Sequence, residues 1–539
     1  MGPEAPVPGP PGPHRASTRR RRTPAGSDPP VAGPADDGGI AEGIAEEPTT
    51  VVVPMPSTPA GPAGPPGQSG PAPPGPAGPL GPLVPPGPVV PSGPSIIRLF
   101  GSEAFFRLWL AQVVSSLGDW IGFVAVTAIA ARIGGSAPET AVAIVLSARL
   151  VPGFFLAPAA GVFIDRWDRK KVMVSCDIGR GLVLATLPFV TTIPGLFLAS
   201  LLLEICTLMW SPAKEASVPN MVRPEFLANA NSLSLVAAYG TFPIGSALFA
   251  FLATVAAWLA HFDALHALRV DREFVAIYVD VFTFFASALM ISSLTLARSE
   301  RADAGEGGVD FRRTFRELAE GGRFIRNSAV VRAVIIGIGT GLVGGGMVVP
   351  LGPVASAQIY GAGSTGFGLL LAAVGFGMAA GIMALSVLQK RVPHERMFVA
   401  SVVGAGASLI GAACMSTMTL ALVFAAGLGL CAGSVYILGF TILQTNVDDD
   451  LRGRIFALLY TLVRFCLLLA FTVAPVASRL LDSGSKRLFD RSVSLGGFSI
   501  ALPGVRITLW LGGTIIVVAG LLTRRGLRAA TGPGAEGQA

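Results

Sequence analysis

The chain has 539 residues, 51% of them hydrophobic and only 14% charged, with a formal net charge of +7. Soluble domains carry about 25% charged residues, so a soluble multidomain protein is excluded. The excess of cations fits membrane-flanking loops better than a nucleic-acid partner. Apolar stretches of about 18 or more residues recur along the sequence, each long enough to cross roughly 30 Å of hydrocarbon. The five cysteines (Cys176, Cys206, Cys414, Cys431, Cys466) lie in apolar segments without CxxC or Cys/His spacing. Neither a metal site, a disulfide framework nor a cofactor is therefore expected.

Residues 1–95 hold 28 of the 43 prolines. Such a segment buries too little apolar surface to offset its ordering entropy, and it reads as a disordered cytoplasmic tail. Its PxxP stretches are available to a cytoplasmic partner, and Arg19–Arg22 to anionic headgroups. No short apolar core follows a basic start, so no cleavable signal peptide is expected. Twelve spans are predicted near 105–132, 139–163, 171–193, 195–213, 228–257, 274–297, 329–358, 365–389, 396–417, 419–444, 455–479 and 504–523.

Cations set the orientation. Arg166, Arg169, Lys170 and Lys171 follow span 2, Lys214 and Arg223 follow span 4, and eight arginines lie between Arg298 and Arg332. Lys390, Arg391 and Arg396 follow span 8, and Arg452 and Arg454 follow span 10, whereas the connections after spans 3, 7 and 9 carry no Lys or Arg. The rule predicts both termini in the cytoplasm of a plasma-membrane protein. The outer loop 479–503, with Arg479, Lys486, Arg487 and Arg491, breaks the rule.

The long connection 298–328 divides the spans six and six. Its second part places Phe311, Phe315 and Leu318 on one side, as in a helix lying on the inner membrane face. Weak similarity links Val222 in PNMVRPEFLANA with Val447 in TNVDDDLRGRIFA, 225 residues apart. The expectation is an all-α membrane protein of two pseudo-symmetric six-helix bundles. Its boundaries are a tail at 1–95, a first bundle at 98–297, a linker at 298–328, a second bundle at 329–525 and a short tail at 526–539. Duplicated halves of this kind hold substrate between them near mid-membrane.

One short stretch, GVFIDRWDRKK, packs six charges after a small-residue run. It resembles the loop between spans 2 and 3 of the major facilitator superfamily, roughly G-x-x-x-D-R-x-G-R-[RK]-x. Gly161, Asp165, Arg166, Arg169 and Lys170 match, and Asp168 stands where the pattern has its second glycine. SSLGDWIG, SCDIGRG, SPAKEASVPNMVRPEFLANANSLS, FRELAEGGRFIRN and LQTNVDDDLRGRIFAL resemble the branch containing macrolide-efflux proteins and the enterobactin exporter. The resemblance runs from about 98 to 525. It implies a monomeric carrier without enzymatic activity, in which Asp165 sits against the start of span 11 and gates the cytoplasmic side. In span 5, YGTFPIGSALF partly matches an antiporter pattern through Pro243 and Gly245.

Ionisable groups within a bilayer cost several kcal/mol and are functional candidates. Glu204, alone in LFLASLLLEICTLMW, is a candidate proton or substrate site, or a structural acid paired with Arg149 or Arg464. Asp119 in span 1 is a second site candidate, and Arg464 could attract an acidic substrate. Asp177 and Arg180 share a helical face and are assigned to the charge network of the motif loop. Asp280 is expected nearer the outer surface, where a wetted structural role stands equally beside a site role. The glycines of GIGTGLVGGG (337–346) precede no Lys-Ser/Thr and read as helix packing.

The resulting expectation is a secondary carrier embedded in the bilayer, exporting an amphipathic small molecule against protons. A lipid-moving carrier, or a non-transporting sensor or scaffold that uses the tail, remain open alternatives.

Overall fold

A computed structural model of the chain describes residues 99–156, 167–261, 273–295, 322–388, 392–447, 449–495 and 498–531, all within the unit Pro86–Ala539. The tail at 1–95 and most of the linker, with Phe311, Phe315 and Leu318, lie outside them. The helices are α1 (Glu103–Ile133), α2 (Pro138–Phe155), α3 (Arg169–Thr186), α4 (Ile193–Ser217), α5 (Leu227–Tyr239), α6 (Phe242–Leu259) and α7 (Phe274–Ser292). The second series is α8 (Ala329–Gly346), α9 (Val348–Gln358), α10 (Gly363–Leu388), α11 (His394–Cys414), α12 (Met418–Thr445), α13 (Asp449–Phe489) and α14 (Gly504–Thr531). Among the described residues 12 spans are long and apolar enough to cross a membrane. The pair α5 and α6 forms the fifth, and α8 and α9 the seventh.

Local chemistry sets several helix starts. Ser102 accepts from the Phe105 amide at 3.0 Å and Thr192 from the Gly195 amide at 3.3 Å, satisfying orphan donors of α1 and α4. The Asp168 carboxylate caps α3 by accepting from the Lys171 amide at 3.2 Å. The acid that replaces the pattern's glycine thus stabilises a helix start, where a negative charge also meets the positive end of the helix dipole. Pro243 occupies the first turn of α6, where a missing N–H costs nothing, and the chain breaks at Gly240 and Thr241 just before it.

The internal repeat is visible in span boundaries. Ile133 and Gln358, Pro138 and Gly363, Arg169 and His394, Ile193 and Met418, and Asn220 and Thr445 begin or end corresponding spans, and each pair is 225 residues apart. Packing repeats as well. Contacts of α1 with α7, α3 with α4 and α7, and α2 with α4 recur as α8 with α14, α11 with α12 and α14, and α10 with α12. The two bundles meet where α6 packs on α10 and α2 on α13, with α9 crossing onto α1 and α2. Close approach needs small residues. A side chain at Gly375 would meet Pro243 Cβ at 2.7 Å, and Gly344 of α8 packs on the Gly512 carbonyl of α14.

Two predicted boundaries are corrected. α4 does not stop at 213 but continues to Ser217, which puts Lys214 inside the helix and buries it. α14 runs on to Thr531, past the predicted end at 523. The basic segment 479–503, expected to be a loop, is largely helix and hairpin. α13 extends to Phe489, so Lys486 and Arg487 sit in its last turn, where cations offset the helix dipole. Asp490 and Arg491 then take left-handed φ values of 47° and 55°. An antiparallel hairpin follows, β1 (Ser492–Leu495) with β2 (Phe498–Ala501), Ser492 opposite Ala501. Asp482 fastens it by accepting from Arg491 at 2.5 Å and from the Gly504 amide at 3.1 Å. The buried Arg506 donates to the Ala501 and Met415 carbonyls at 2.7 and 3.1 Å.

Candidate functional site: a charged cavity in the first bundle

α1 carries polar side chains along one face and is held to α5 by three of them. Trp109, Gln112 and Trp120 donate to the carbonyls of Leu233, Ser234 and Ala238 at 2.8, 3.0 and 3.0 Å. Between α1, α2, α3, α4 and α5 lies a cavity of about 620 Å³. Asp119, Arg149, Arg180 and Glu204 line its inner part. Lys214, Glu215 and Asn231 line the end at which α4 finishes and α5 begins.

Arg180 organises the charges. It ion-pairs with Asp177 one turn away on α3, and with Asp119 of α1 at 3.3 Å. Ser287 of α7 donates to the second Asp177 oxygen at 2.7 Å. The guanidinium also lies over the rings of Phe284 and Trp210, at 4.4 and 5.5 Å from their centroids. A buried cation is tolerable only when paired and hydrogen-bonded, and here it is held from four helices. Arg180 therefore joins Asp177 to Asp119, and of the three Asp119 and Arg180 line the cavity. Of the motif loop to which Asp177 and Arg180 were assigned, Gly161, Asp165 and Arg166 lie outside the described residues.

Asp119, Arg149, Glu204 and Asp280 share a narrow recess at the inner end. Arg149 lies over the Phe123 ring at 5.6 Å from its centroid. Among the described residues no ion pair joins Glu204 to Arg149 or Arg464, although all three lie in the same region. Arg464 instead donates to the Gly153 carbonyl at 3.3 Å, a contact from the second bundle to the first. The wetted role weighed for Asp280 is corrected. It is 1% exposed, with its carboxylate against the bare backbone of Gly118 and Gly122 and the Thr283 hydroxyl donating to it at 3.3 Å.

The two described members of the loop motif tie helix ends together. Arg169 donates to the Ala216 carbonyl at 2.6 Å and Lys170 to the Leu294 carbonyl at 2.7 Å. The Ala216 carbonyl lies in the last turn of α4 and the Leu294 carbonyl two residues beyond α7, near the negative end of each helix dipole, which favours a cation. Pro243 packs on Gly375 of α10, and a side chain at Gly245 would meet Trp120 Cβ at 2.7 Å, so the span 5 residues sit at helix crossings.

The second bundle brings a cluster of aromatic rings. Phe440 packs on Tyr436, Phe456 and Tyr460, with centroids at 4.6, 5.2 and 6.2 Å. Tyr436 and Tyr460 are 52% and 50% exposed. On the first bundle's side Trp120 contacts Phe123 and Phe242 edge to face, at 6.1 and 4.7 Å.

Residues 97–470 match the family model described as transmembrane secretion effector. That is more than half of the chain. It belongs to the major facilitator superfamily, a family of transporters rather than enzymes, and is a multi-pass membrane protein. The MFS-type transporter YkuC of Bacillus subtilis is 25% identical over 374 residues, 66% of this chain and 81% of that protein. Macrolide efflux protein A of Streptococcus pyogenes is 31% identical over 128 residues, 23% of this chain and 31% of that one. Among solved structures, a bacterial homologue of the human lysosomal transporter Spinster, inward-facing and unoccupied, superposes with a TM-score of 0.61 at 14% identity, covering 80% of this chain and 99% of that one. The nucleoside transporter NupG gives 0.57 at 11% identity, covering 79% and 99%. At such identities these structures share the fold.

Proposed function

We propose that this transporter is a proton-coupled exporter of amphipathic small molecules that works by alternating access in the plasma membrane. The observation that carries the reading is an asymmetry: ionisable groups line the cavity of the first bundle, and aromatic rings cluster on α12 and α13 of the second. A molecule with a polar head and an apolar body would satisfy both, its head among Asp119, Arg149 and Glu204 and its body on Tyr436 and Tyr460. The similarity to macrolide efflux protein A over part of the chain supports export of such molecules.

Glu204 has no ion-pair partner among the described residues and touches the cavity, so it is the group we assign to proton exchange. Asp119 shares Arg180 with Asp177 and would respond when a substrate cation or proton competes for it. The cavity runs to the end of the bundle that carries the cation-rich connections, which the positive-inside rule places in the cytoplasm together with both termini. Closure on that side would involve the loop of Asp165, with Arg169 and Lys170 holding the ends of α4 and α7. The chain would act as a monomer, its boundaries falling at the tail, the two bundles and the 298–328 linker.

The experiment is accumulation of dyes, macrolides and siderophores in an efflux-deficient bacterium expressing the chain, with and without a protonophore. Lowered accumulation that the protonophore abolishes supports the reading. No difference from the empty vector at confirmed surface expression removes drug export and leads to lipid translocation as the next assay.

A further inference from the structure

A second large cavity, about 830 Å³, lies on the second bundle between α11 and α14, away from the charged cavity of the first. Its shape follows from the packing of those helices. They touch backbone to backbone where Gly406 meets the Gly513 carbonyl, and Gly520 leaves room for Val403. Toward the start of α11 and the end of α14 both helices line the groove.

The rim carries Arg396, Arg524 and Arg528, all exposed, with Glu395 the lone acid among its lining residues. None of the three arginines has an ion-pair partner among the described residues. The wall below is apolar: Val399, Ala400 and Val403 from α11 and Leu521 from α14. Seven residues of helix separate Arg396 from Val403, about 10 Å along the axis at 1.5 Å per residue. That is the spacing between a phospholipid's phosphate and the upper part of its acyl chains. A soluble anion would use the rim and leave the apolar wall exposed, whereas a lipid would cover both.

We infer that this groove binds one anionic phospholipid, its phosphate among Arg396, Arg524 and Arg528 and an acyl chain along Val399, Ala400 and Val403. Basic pockets between spans at the cytoplasmic surface suit such headgroups. The site stands apart from the proposed export reaction and does not depend on it. Bound lipid would brace the start of α11 and the end of α14.

The test is native mass spectrometry of the full-length protein in detergent with phosphatidylglycerol or phosphatidylcholine of matched chains. Wild type should retain one phosphatidylglycerol more than phosphatidylcholine. The triple variant R396Q/R524Q/R528Q should lose that preference, with affinity falling on the order of a hundredfold, since each surface arginine contributes about fivefold. All three residues are exposed, so unfolding in phosphatidylcholine should be unchanged, which shows that the variant is folded. Ala400→Trp fills the apolar wall but keeps the charges, and should also release the lipid. Equal retention of both lipids by wild type, or undiminished phosphatidylglycerol in the triple variant, would overturn the site. If Ala400→Trp has no effect while glycerol phosphate displaces the lipid, the rim binds only a soluble anion. If wild type binds no lipid and Ala400→Cys resists labelling in lipid-free detergent, a segment of the chain itself fills the groove.

Discussion

The carboxylate of Asp280 on α7 lies against the bare backbone of Gly118 on α1, in the space a side chain would need. Thr283 lies against the same glycine. Gly118→Ala should therefore push Asp280 and Thr283 out of position and destabilise the first bundle by about 1–3 kcal/mol, the usual cost of overpacking. Thermal unfolding in micelles measures this. Gly341→Ala, where nothing lies within 4 Å, is the matched control and should leave unfolding unchanged.

Arg180 compensates Asp177, which is 0% exposed. Replacing it with Gln leaves an uncompensated buried carboxylate, and the expected loss is about 3–5 kcal/mol. Asp177→Asn in the same chain should restore much of it, because the pair then has no orphan charge. A double-mutant cycle on unfolding reads the coupling. Equal losses in the single and double variants would show that the pair is not the source of the stability.

Most of the spans were legible in the sequence because an apolar run of about 20 residues is a strong local signal. The halves were legible through the connection 298–328 and through the weak pair Val222 and Val447, whose spacing recurs in five pairs of span boundaries. What was not legible is tertiary. Lys214 reads as a loop cation because its neighbours Ser211 and Pro212 mimic a helix end, yet α4 continues through Pro212. A wetted role stays open for Asp280 until Gly118 and Gly122, far away in sequence, are seen to make room for it. The pairing of Arg180 with Asp119 likewise joins two helices that no local window covers. The β1–β2 hairpin did leave a signal: Gly496 and Gly497 stand between the alternating runs SVSL and FSIA.

At the bundle interface, Gly153 of α2 accommodates Arg464 of α13, whose guanidinium carbon would lie 3.2 Å from a new Cβ. Arg464→Ala removes a hydrogen bond between the halves and should shift the balance between inward- and outward-open forms. Because the bond is one charge-assisted contact, the shift should be about 1.5–3 kcal/mol, roughly tenfold or more in population. Distance measurements between spin labels on the two bundles report it, and unchanged distance distributions would show that the contact does not bias the cycle.

The aromatic rings of the second bundle should set apparent affinity for the apolar part of a substrate. Tyr436→Ala or Tyr460→Ala is expected to raise KM by about 2- to 10-fold per lost ring contact, at about 0.5–1.5 kcal/mol each. Tyr→Phe at either position should be nearly neutral. A matched loss in the Phe variants would move the role from stacking to the hydroxyl.

The central claim is that Glu204 carries the proton that drives export. Purified wild type, Glu204→Gln and Asp119→Asn should be reconstituted in proteoliposomes containing a pH-sensitive dye, with an exported compound from the accumulation panel. On the proposed mechanism, compound and proton fluxes are coupled in wild type. Glu204→Gln should still exchange compound for compound across the membrane but show no proton flux and no response to an imposed pH gradient. Full gradient-driven transport by Glu204→Gln, at wild-type stoichiometry, would contradict the mechanism.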